Sequence, residues 1–232
     1  MPLKPDAVLC DFGGTLVEEA GYDLHAGNRW VLSRASVLPA HVSLDAVVAR
    51  AQQIAQQVMT RRDETQVETP WPAVARLIYD HFGVEFQDDI RDLELGFWQA
   101  SVHTRALPGV RETLDRLASD GIRMAVVSNT SFTERTLRAE LDKHGLGGYF
   151  EFIVTSAEYS IRKPNRLLFE IAATRLGLPP SGVWFVGDRL DADVVGANAV
   201  GMTSVMLGTR APLTHVKDQP AISIGDWSAW PH

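Results

Sequence analysis

The chain has one cysteine and no long hydrophobic segment, and each absence excludes a class of protein. Cys10 has no partner with which to form an internal disulfide, so we expect a protein of a reducing compartment, the cytoplasm. No stretch approaches the ~20 apolar residues that a membrane-spanning helix requires. The N-terminus has one early lysine, Lys4, and no long apolar run, so we do not expect a signal peptide there.

Positive charge is also scarce. The 22 lysines and arginines are outnumbered by 29 aspartates and glutamates, which gives a formal net charge of −7 at pH 7. A negative balance disfavours general attraction to nucleic acid or to anionic membranes, so we expect neither as a partner. An anionic substrate would therefore need a metal ion or local positive charge. Otherwise the composition, 45% hydrophobic and 22% charged, is that of an ordinary globular protein.

Short apolar segments typical of buried strands occur at the start of the chain and again in its second half. The first covers residues 6–12 and ends with Asp11 and Phe12, which two glycines follow. The later ones cover residues 122–129, 150–156, 183–188 and 202–207. Helical patterns separate these later segments, and such alternation is typical of a parallel sheet covered on both faces. The sequence therefore predicts an α/β fold with a doubly wound parallel sheet.

The segment between residues 17 and 105 has helical patterning and no strand pattern. Apolar residues from Leu44 to Val58 fall at helical spacing behind Ser43, a suitable N-cap, and Pro70 opens a further helix. An amphipathic stretch covers residues 88–102. We predict a core domain of residues 1–16 and 106–232, with an all-helical cap of residues 17–105 inserted after the first strand.

Four polar residues of different chemical type follow the predicted strands. They are Asp11, Ser128, Lys163 and Asp188. Each one alone is more often a turn former or a helix cap than a functional residue. In a parallel α/β sheet, however, ligands bind beyond the carboxyl ends of the strands, where all four would meet. Together they offer a nucleophile, a hydroxyl donor, a cation and a metal ligand.

The segments around these residues resemble the motifs of the haloacid dehalogenase superfamily. They are DFGGTL (11–16), SNTS (128–131), RKP (162–164) and GDRLDAD (187–193), and they occur in that family's order. The resemblance covers almost the whole chain, including a cap inserted after the first motif. It implies a phosphatase-like hydrolase with a variant first motif, DFGGT, whose substrate is a small phosphorylated metabolite and whose cofactor is Mg²⁺.

The resemblance also implies a role for each residue of the motifs. Asp11 would attack phosphorus and form an aspartyl-phosphate, while Ser128 and Lys163 would stabilise the transferring group. Substrate binding would involve the backbone N–H of Asn129 and the turn formed by Gly14 and Thr15. The Mg²⁺ ligands would be Asp11, the backbone carbonyl of Gly13, Asp188 and Asp193, either directly or through a bound water.

Gly13 departs from the pattern of the family's phosphatases. They have a second aspartate there that protonates the leaving group and then activates water, and glycine can do neither. Losing a general acid/base typically costs ~10²–10⁴ in rate. A phosphatase could still act on phosphates with leaving groups of low pKa. Alternatively, another residue could replace the aspartate, and the candidates are Glu18, Glu19, Asp23 and His25.

Two further hypotheses stay open at this stage, and one is excluded. The chain could be a binding or regulatory protein on an impaired enzyme scaffold. It could also be a 2-haloacid dehalogenase, although the family's dehalogenases lack the Gly-Asp pair found here at 187–188. Relatives that cleave phosphonates need a lysine in the cap to form a Schiff base. The lysines are Lys4, Lys143, Lys163 and Lys217, and none lies in the predicted cap.

Overall fold

The computed structural model describes residues 4–208 and 219–231. The strands in this part are β1 (Ala7–Cys10), β2 (Val17–Tyr22), β3 (Ala35–Val37), β4 (Glu85–Phe86), β5 (Val102–Ala106), β6 (Arg123–Ser128), β7 (Ile153–Thr155), β8 (Val183–Gly187), β9 (Thr203–Leu207) and β10 (Ile222–Ile224). The α-helices are α1 (Leu24–Leu32), α2 (Leu44–Thr65), α3 (Trp71–Tyr79), α4 (Glu94–Ser101), α5 (Val110–Ser119), α6 (Glu134–Lys143), α7 (Ser156–Tyr159), α8 (Arg166–Leu176) and α9 (Val195–Val200). Residues 1–3, 209–218 and 232 of the predicted core, Lys217 among them, lie outside the described part.

Six strands form one sheet in the order β10-β9-β8-β1-β6-β7, and every neighbouring pair is parallel. The first strand lies in the middle, with Cys10 opposite Val126 of β6 and Val186 of β8. The predicted doubly wound parallel sheet is therefore confirmed. Its edge strand β10 was not predicted, because three residues are too few to give a periodic signal. This topology brings the carboxyl ends of β1, β6 and β8 to one edge of the sheet.

Apolar side chains cover both faces of the sheet. On one face Leu9 and Phe185 pack with Phe169 of α8 in a buried cluster. On the other face Val8 and Cys10 belong to a larger cluster that includes side chains of α5 and α6. Burial on both faces explains why these strands are continuously apolar rather than alternating.

Residues 17–105, called the cap segment below, contain the three predicted helical regions but are not wholly helical. Ser43 caps α2 as expected and accepts a hydrogen bond from the backbone N–H of Ala46 at 3.2 Å. The expectation of an all-helical insertion is corrected by two antiparallel ladders, β2–β5 and β3–β4. Val17 pairs with Ala106, the first residue beyond the far end of the segment, and β2 has no alternation of apolar and polar residues. Strand formation here depends on a distant partner and leaves no local hydrophobic pattern.

The cap segment and the core share one hydrophobic cluster. Trp98 of α4 packs against Phe132 with ring centroids 4.7 Å apart and against Phe12 at 6.4 Å. Phe97 and Trp71 are buried in the same cluster. These aromatic residues therefore serve the packing of the cap segment on the sheet. Within the described residues, no helix combines the length and apolar character needed to cross a membrane.

Candidate active site

Asp11 directly follows the central strand, and the sheet fixes its backbone. Its N–H donates to the carbonyl of Val186 at 2.9 Å, which extends the β1–β8 ladder by one bond. The residue is 7% exposed, so its carboxylate lies at the bottom of the site rather than on the surface. A buried carboxylate requires compensating charge, and Lys163 supplies it.

Lys163 lies on the loop after β7 and is 4% exposed. Its ammonium donates to Oδ1 of Asp11 at 2.7 Å and to the carbonyl of Val127 at 2.8 Å. Oδ1 of Asp193 is also 2.7 Å away. Burial opposes the charge on Lys163, but the two carboxylates offset this effect and raise the pKa of the ammonium. Lys163 is therefore a fixed cation at the centre of the site.

Three carboxylates form a cluster suited to a divalent cation. Among the described residues, Asp11, Asp188 and Asp193 each offer one oxygen, and these oxygens lie within 4.8 Å of one another. The backbone N–H of Arg189 donates to Oδ2 of Asp193 at 2.9 Å and orients that side chain. Burial raises the pKa of Asp193 to about 6, against the lowering effect of Lys163. An all-oxygen, anionic donor set fits Mg²⁺.

Gly14 makes room for one of these carboxylates. Its φ of 73° lies in the left-handed region, which a side chain disfavours. A Cβ at this position would also lie 2.8 Å from Cγ of Asp188. The sequence did not predict this close approach between Gly14 and Asp188. Glycine at this position therefore lets the first and fourth motifs meet.

Ser128 ends the neighbouring strand and Asn129 follows it, and the side chain of Asn129 makes contacts that the sequence did not predict. Ser128 is 3% exposed at the last position of β6. The side-chain amide of Asn129 makes two hydrogen bonds with the backbone of Lys163. Nδ2 donates to the carbonyl of Lys163 at 2.9 Å, and Oδ1 accepts from the N–H of Lys163 at 2.7 Å. Asn129 thus joins the two motif loops through its side chain, while the sequence suggested a role only for its backbone N–H.

Thr15 is fully buried, and it contacts a residue that sequence reasoning missed. Its carbonyl accepts a hydrogen bond from the indole N–H of Trp227 at 2.6 Å. Within residues 4–208 and 219–231, its Oγ1 has no hydrogen-bond partner. Trp227 is separated from Thr15 by 212 residues, so no local pattern could have revealed the contact. The C-terminal part of the chain thereby supports the turn that carries the first motif.

Open space lies beside Gly13, at the position where the missing carboxylate would stand. A Cβ built there would meet no atom within 4 Å. The candidate substitutes make other contacts. Glu18 pairs with Arg105, and Asp23 caps α1 by accepting from the N–H of Ala26 at 3.0 Å.

These contacts disfavour the protonated form of Glu18 and of Asp23, which a general acid requires. The hydrogen bond from Arg105 holds the pKa of Glu18 below its usual range, and the bond from Ala26 does the same for Asp23. His25 lies 3.6 Å from Asp45, and both side chains are largely exposed. Glu19 is an exposed residue of β2. The structure brings none of these four into a bond with the described motif residues.

The family profile described as a haloacid dehalogenase-like hydrolase matches residues 5–201. The chain belongs to this family. The ribulose-1,5-bisphosphate 5-phosphatase of Halopiger xanaduensis is 34% identical over 127 residues, which cover 54% of this chain and 52% of that protein. A glyceraldehyde 3-phosphate phosphatase of Methanothermobacter thermautotrophicus is 33% identical over 116 residues, 49% of this chain and 50% of that protein. The chain thus spans about half the length of the curated relatives it matches.

Solved structures show the same fold with a different chemistry. The 2-haloacid dehalogenase from Pseudomonas syringae pv. tomato superposes with a TM-score of 0.63 at 20% identity, over 96% of this chain and 94% of that chain. Similarity at this level of identity concerns the fold alone. This haloacid dehalogenase-like hydrolase therefore has phosphatases among its sequence relatives, and its fold alone does not decide the reaction.

Proposed function

We propose that this protein is a Mg²⁺-dependent phosphatase of small phosphorylated metabolites that acts through a phosphorylated Asp11. The observation that carries the proposal is the buried cluster in which Lys163 lies between Asp11 and Asp193, with Asp188 beside them. A dehalogenase attacks a carbon atom and has no use for a divalent cation, whereas a phosphoryl group needs its negative charge neutralised. The phosphatases among the sequence relatives support the same class of reaction.

The proposed reaction has two steps at the same carboxylate. Because Lys163 holds Oδ1 of Asp11, we assign the attack on phosphorus to Oδ2. The new Oδ2–P bond forms as the ester P–O bond breaks, and the leaving oxygen takes the electron pair. Water then attacks phosphorus, which releases inorganic phosphate and restores the carboxylate.

The chain's own residues hold the reacting groups in this scheme. Lys163 holds the carboxylate of Asp11 through an ion pair and neutralises the transferring group, and Ser128 donates its hydroxyl to a phosphoryl oxygen. Asp11, Asp188 and the carbonyl of Gly13 would hold Mg²⁺, with Asp193 orienting Lys163 and the cation site. When bound, the cation supplies charge neutralisation for the phosphoryl oxygens.

Gly13 narrows the class of substrate that we propose. A leaving group that departs as a stable anion needs no proton, whereas an alkoxide does. We therefore expect acyl and aryl phosphates to react faster than alkyl phosphates. For alkyl substrates, such as the sugar phosphates named for the relatives, water would have to deliver the proton at a slower rate.

Trapping the phosphorylated protein tests the proposal. The protein is mixed with Mg²⁺ and radiolabelled acetyl phosphate, quenched in acid and analysed for covalent label, with Asp11→Asn as the matched control. We expect label in the wild type and none in the variant, because an amide cannot attack phosphorus. Absence of label, together with no Mg²⁺-dependent phosphate release from acyl, aryl or alkyl phosphates, would refute the proposed function.

The open space beside Gly13 favours one second candidate, a protein that binds a phosphorylated ligand without turning it over. Such a protein would keep the carboxylates of Asp11, Asp188 and Asp193 for binding a cation, but it has no side chain at position 13 to act as the acid/base. Calorimetry with Mg²⁺ and a panel of phosphorylated metabolites separates the two. Binding without phosphate release supports the second candidate, and halide release from a 2-haloacid without metal would instead identify a dehalogenase.

A further inference from the structure

A buried glutamate of the cap segment contacts the loops that carry Lys163 and Asn129. Glu68 follows α2, and its side chain is fully buried. Its Oε2 pairs with Arg162 and accepts from the hydroxyl of Ser156 at 2.8 Å, while Oε1 accepts from Ser131 at 3.0 Å. One carboxylate thus bonds to the loop after β6, to the start of α7 and to the residue before Lys163.

Backbone pairing reinforces these side-chain contacts. The N–H of Arg162 donates to the carbonyl of Gln66 at 2.9 Å, and that of Glu68 donates to Ser160 at 3.1 Å. An antiparallel bridge between Val67 and Ile161 lies between these two bonds. The cap segment is therefore joined by one isolated β-bridge to the loop that leads into Lys163.

The contacts of Glu68 lead to Lys163 along two routes. Ser156 Oγ accepts from the N–H of Thr130 at 2.8 Å, next to Asn129, whose side chain binds the Lys163 backbone. Arg162 is joined directly to Lys163 by the peptide bond. A shift of Glu68 would thus move Lys163 relative to Asp11, and a misplacement of about 1 Å can cost ~10²-fold in rate.

We propose that Glu68 is a positioning residue, through which the cap segment sets the geometry of Lys163 and of the loop after Ser128. This inference rests on the proposed function for its effect on turnover, but the contacts themselves do not. Glu68 does not touch the described motif carboxylates, so it acts only through Arg162, Ser131 and Ser156. The cap segment would then be part of the catalytic apparatus as well as a cover over it.

Replacing Glu68 by glutamine tests the inference, with Glu140→Gln as the matched control. Glu140 is equally buried and also joins cap segment to core, since it accepts from the indole N–H of Trp98 at 2.9 Å, but it contacts neither loop. We expect Glu68→Gln to lower kcat by ~10–100-fold with little change in KM, as is typical when a supporting hydrogen bond of a site is lost. Glu140→Gln should leave kcat near the wild-type value.

Hydrogen exchange provides a readout that needs no activity. We expect faster exchange at the amides of Thr130, Arg162 and Lys163 in Glu68→Gln and unchanged exchange there in Glu140→Gln. Should Glu68→Gln fail to fold, Glu68→Asp keeps the charge opposite Arg162 while its shorter side chain cannot reach all three partners. Equal losses of kcat in the Glu68 and Glu140 variants, or unchanged exchange at the three amides, would overturn the inference. A wild type without turnover would contradict the proposed function and leave the exchange test intact.

Discussion

Asp11 and Gly13 lie on the same turn after β1, but their surroundings are opposite in character. Asp11 is buried beside the Lys163 ammonium and two further carboxylates. Gly13 borders open space, since a Cβ there would meet nothing within 4 Å. Under the proposed function, charge neutralisation and proton transfer are therefore separable, and the described residues at this turn provide only the first.

Lys163→Met tests the charged side of this comparison and has the largest expected effect. It leaves Asp11 and Asp193 buried without a cation, so we expect the free energy of unfolding to fall by about 3–5 kcal/mol. Activity should fall by ~10²–10³-fold. Urea unfolding without Mg²⁺ and phosphate release measure the two effects, and Lys4→Met, at an exposed ion pair, is the control.

The stability loss in Lys163→Met should depend on pH with a definite sign. Burial already raises the pKa of Asp193 to about 6, and removal of the cation would raise it further. A buried carboxyl with a raised pKa favours folding when protonated, so stability falls as pH rises through that pKa. The variant should therefore lose less stability below pH about 6 than above it. A loss independent of pH would contradict the assigned charge balance.

Gly13→Asp tests the other part of the comparison, the open space beside Gly13. The space for a Cβ and the ordinary backbone at this position indicate that the aspartate fits without strain. If proton transfer to the leaving group limits turnover, we expect alkyl phosphates to react ~10²-fold faster, while aryl phosphates change little. Gly13→Asn has nearly the same shape and cannot act as an acid, so it is the control. Equal rates in the two variants would show that proton transfer was not limiting.

Gly14→Ala changes the residue that follows Gly13 and lies against the carboxylate of Asp188, and its expected effect is smaller. The added Cβ would press on Asp188, so we expect Mg²⁺ affinity to fall by ~10-fold. Gly177→Ala is the control, because Gly177 also has a positive φ, of 66°, but no atom within 4 Å of a Cβ. Calorimetric titration with Mg²⁺ distinguishes them. Equal affinities would mean that Gly14 serves backbone conformation alone.

Much of the fold could be predicted because its strands are locally recognisable. Residues 124–127 and 183–186 are continuously apolar, as strands buried on both faces must be, and both belong to parallel strands beside β1. The ladder between β2 and β5 could not be predicted, since its polar residues pair across more than eighty positions of chain. Backbone hydrogen bonds of this kind depend on a partner that a local pattern does not contain.

The candidate site divides in the same way. Asp11, Ser128, Lys163 and Asp188 could be predicted to meet, because parallel strands place their carboxyl ends at one edge. The side-chain bonds of Asn129 to Lys163, and those of Glu68 to Arg162, had no signal in the sequence. An asparagine or a glutamate in a polar loop has no pattern that separates a solvated side chain from a buried one.

The sequence by itself determined the parallel α/β sheet, the order of its motifs and the residue types at its strand ends. Apolar patterning and the order of residues along the chain are local properties that a sequence contains. Tertiary structure alone decided that Glu68 and Trp227 contact the motif segments and that the space beside Gly13 is open. Those features depend on which distant side chains approach one another when the cap segment and the C-terminal residues pack against the sheet, and packing is a property of the whole chain.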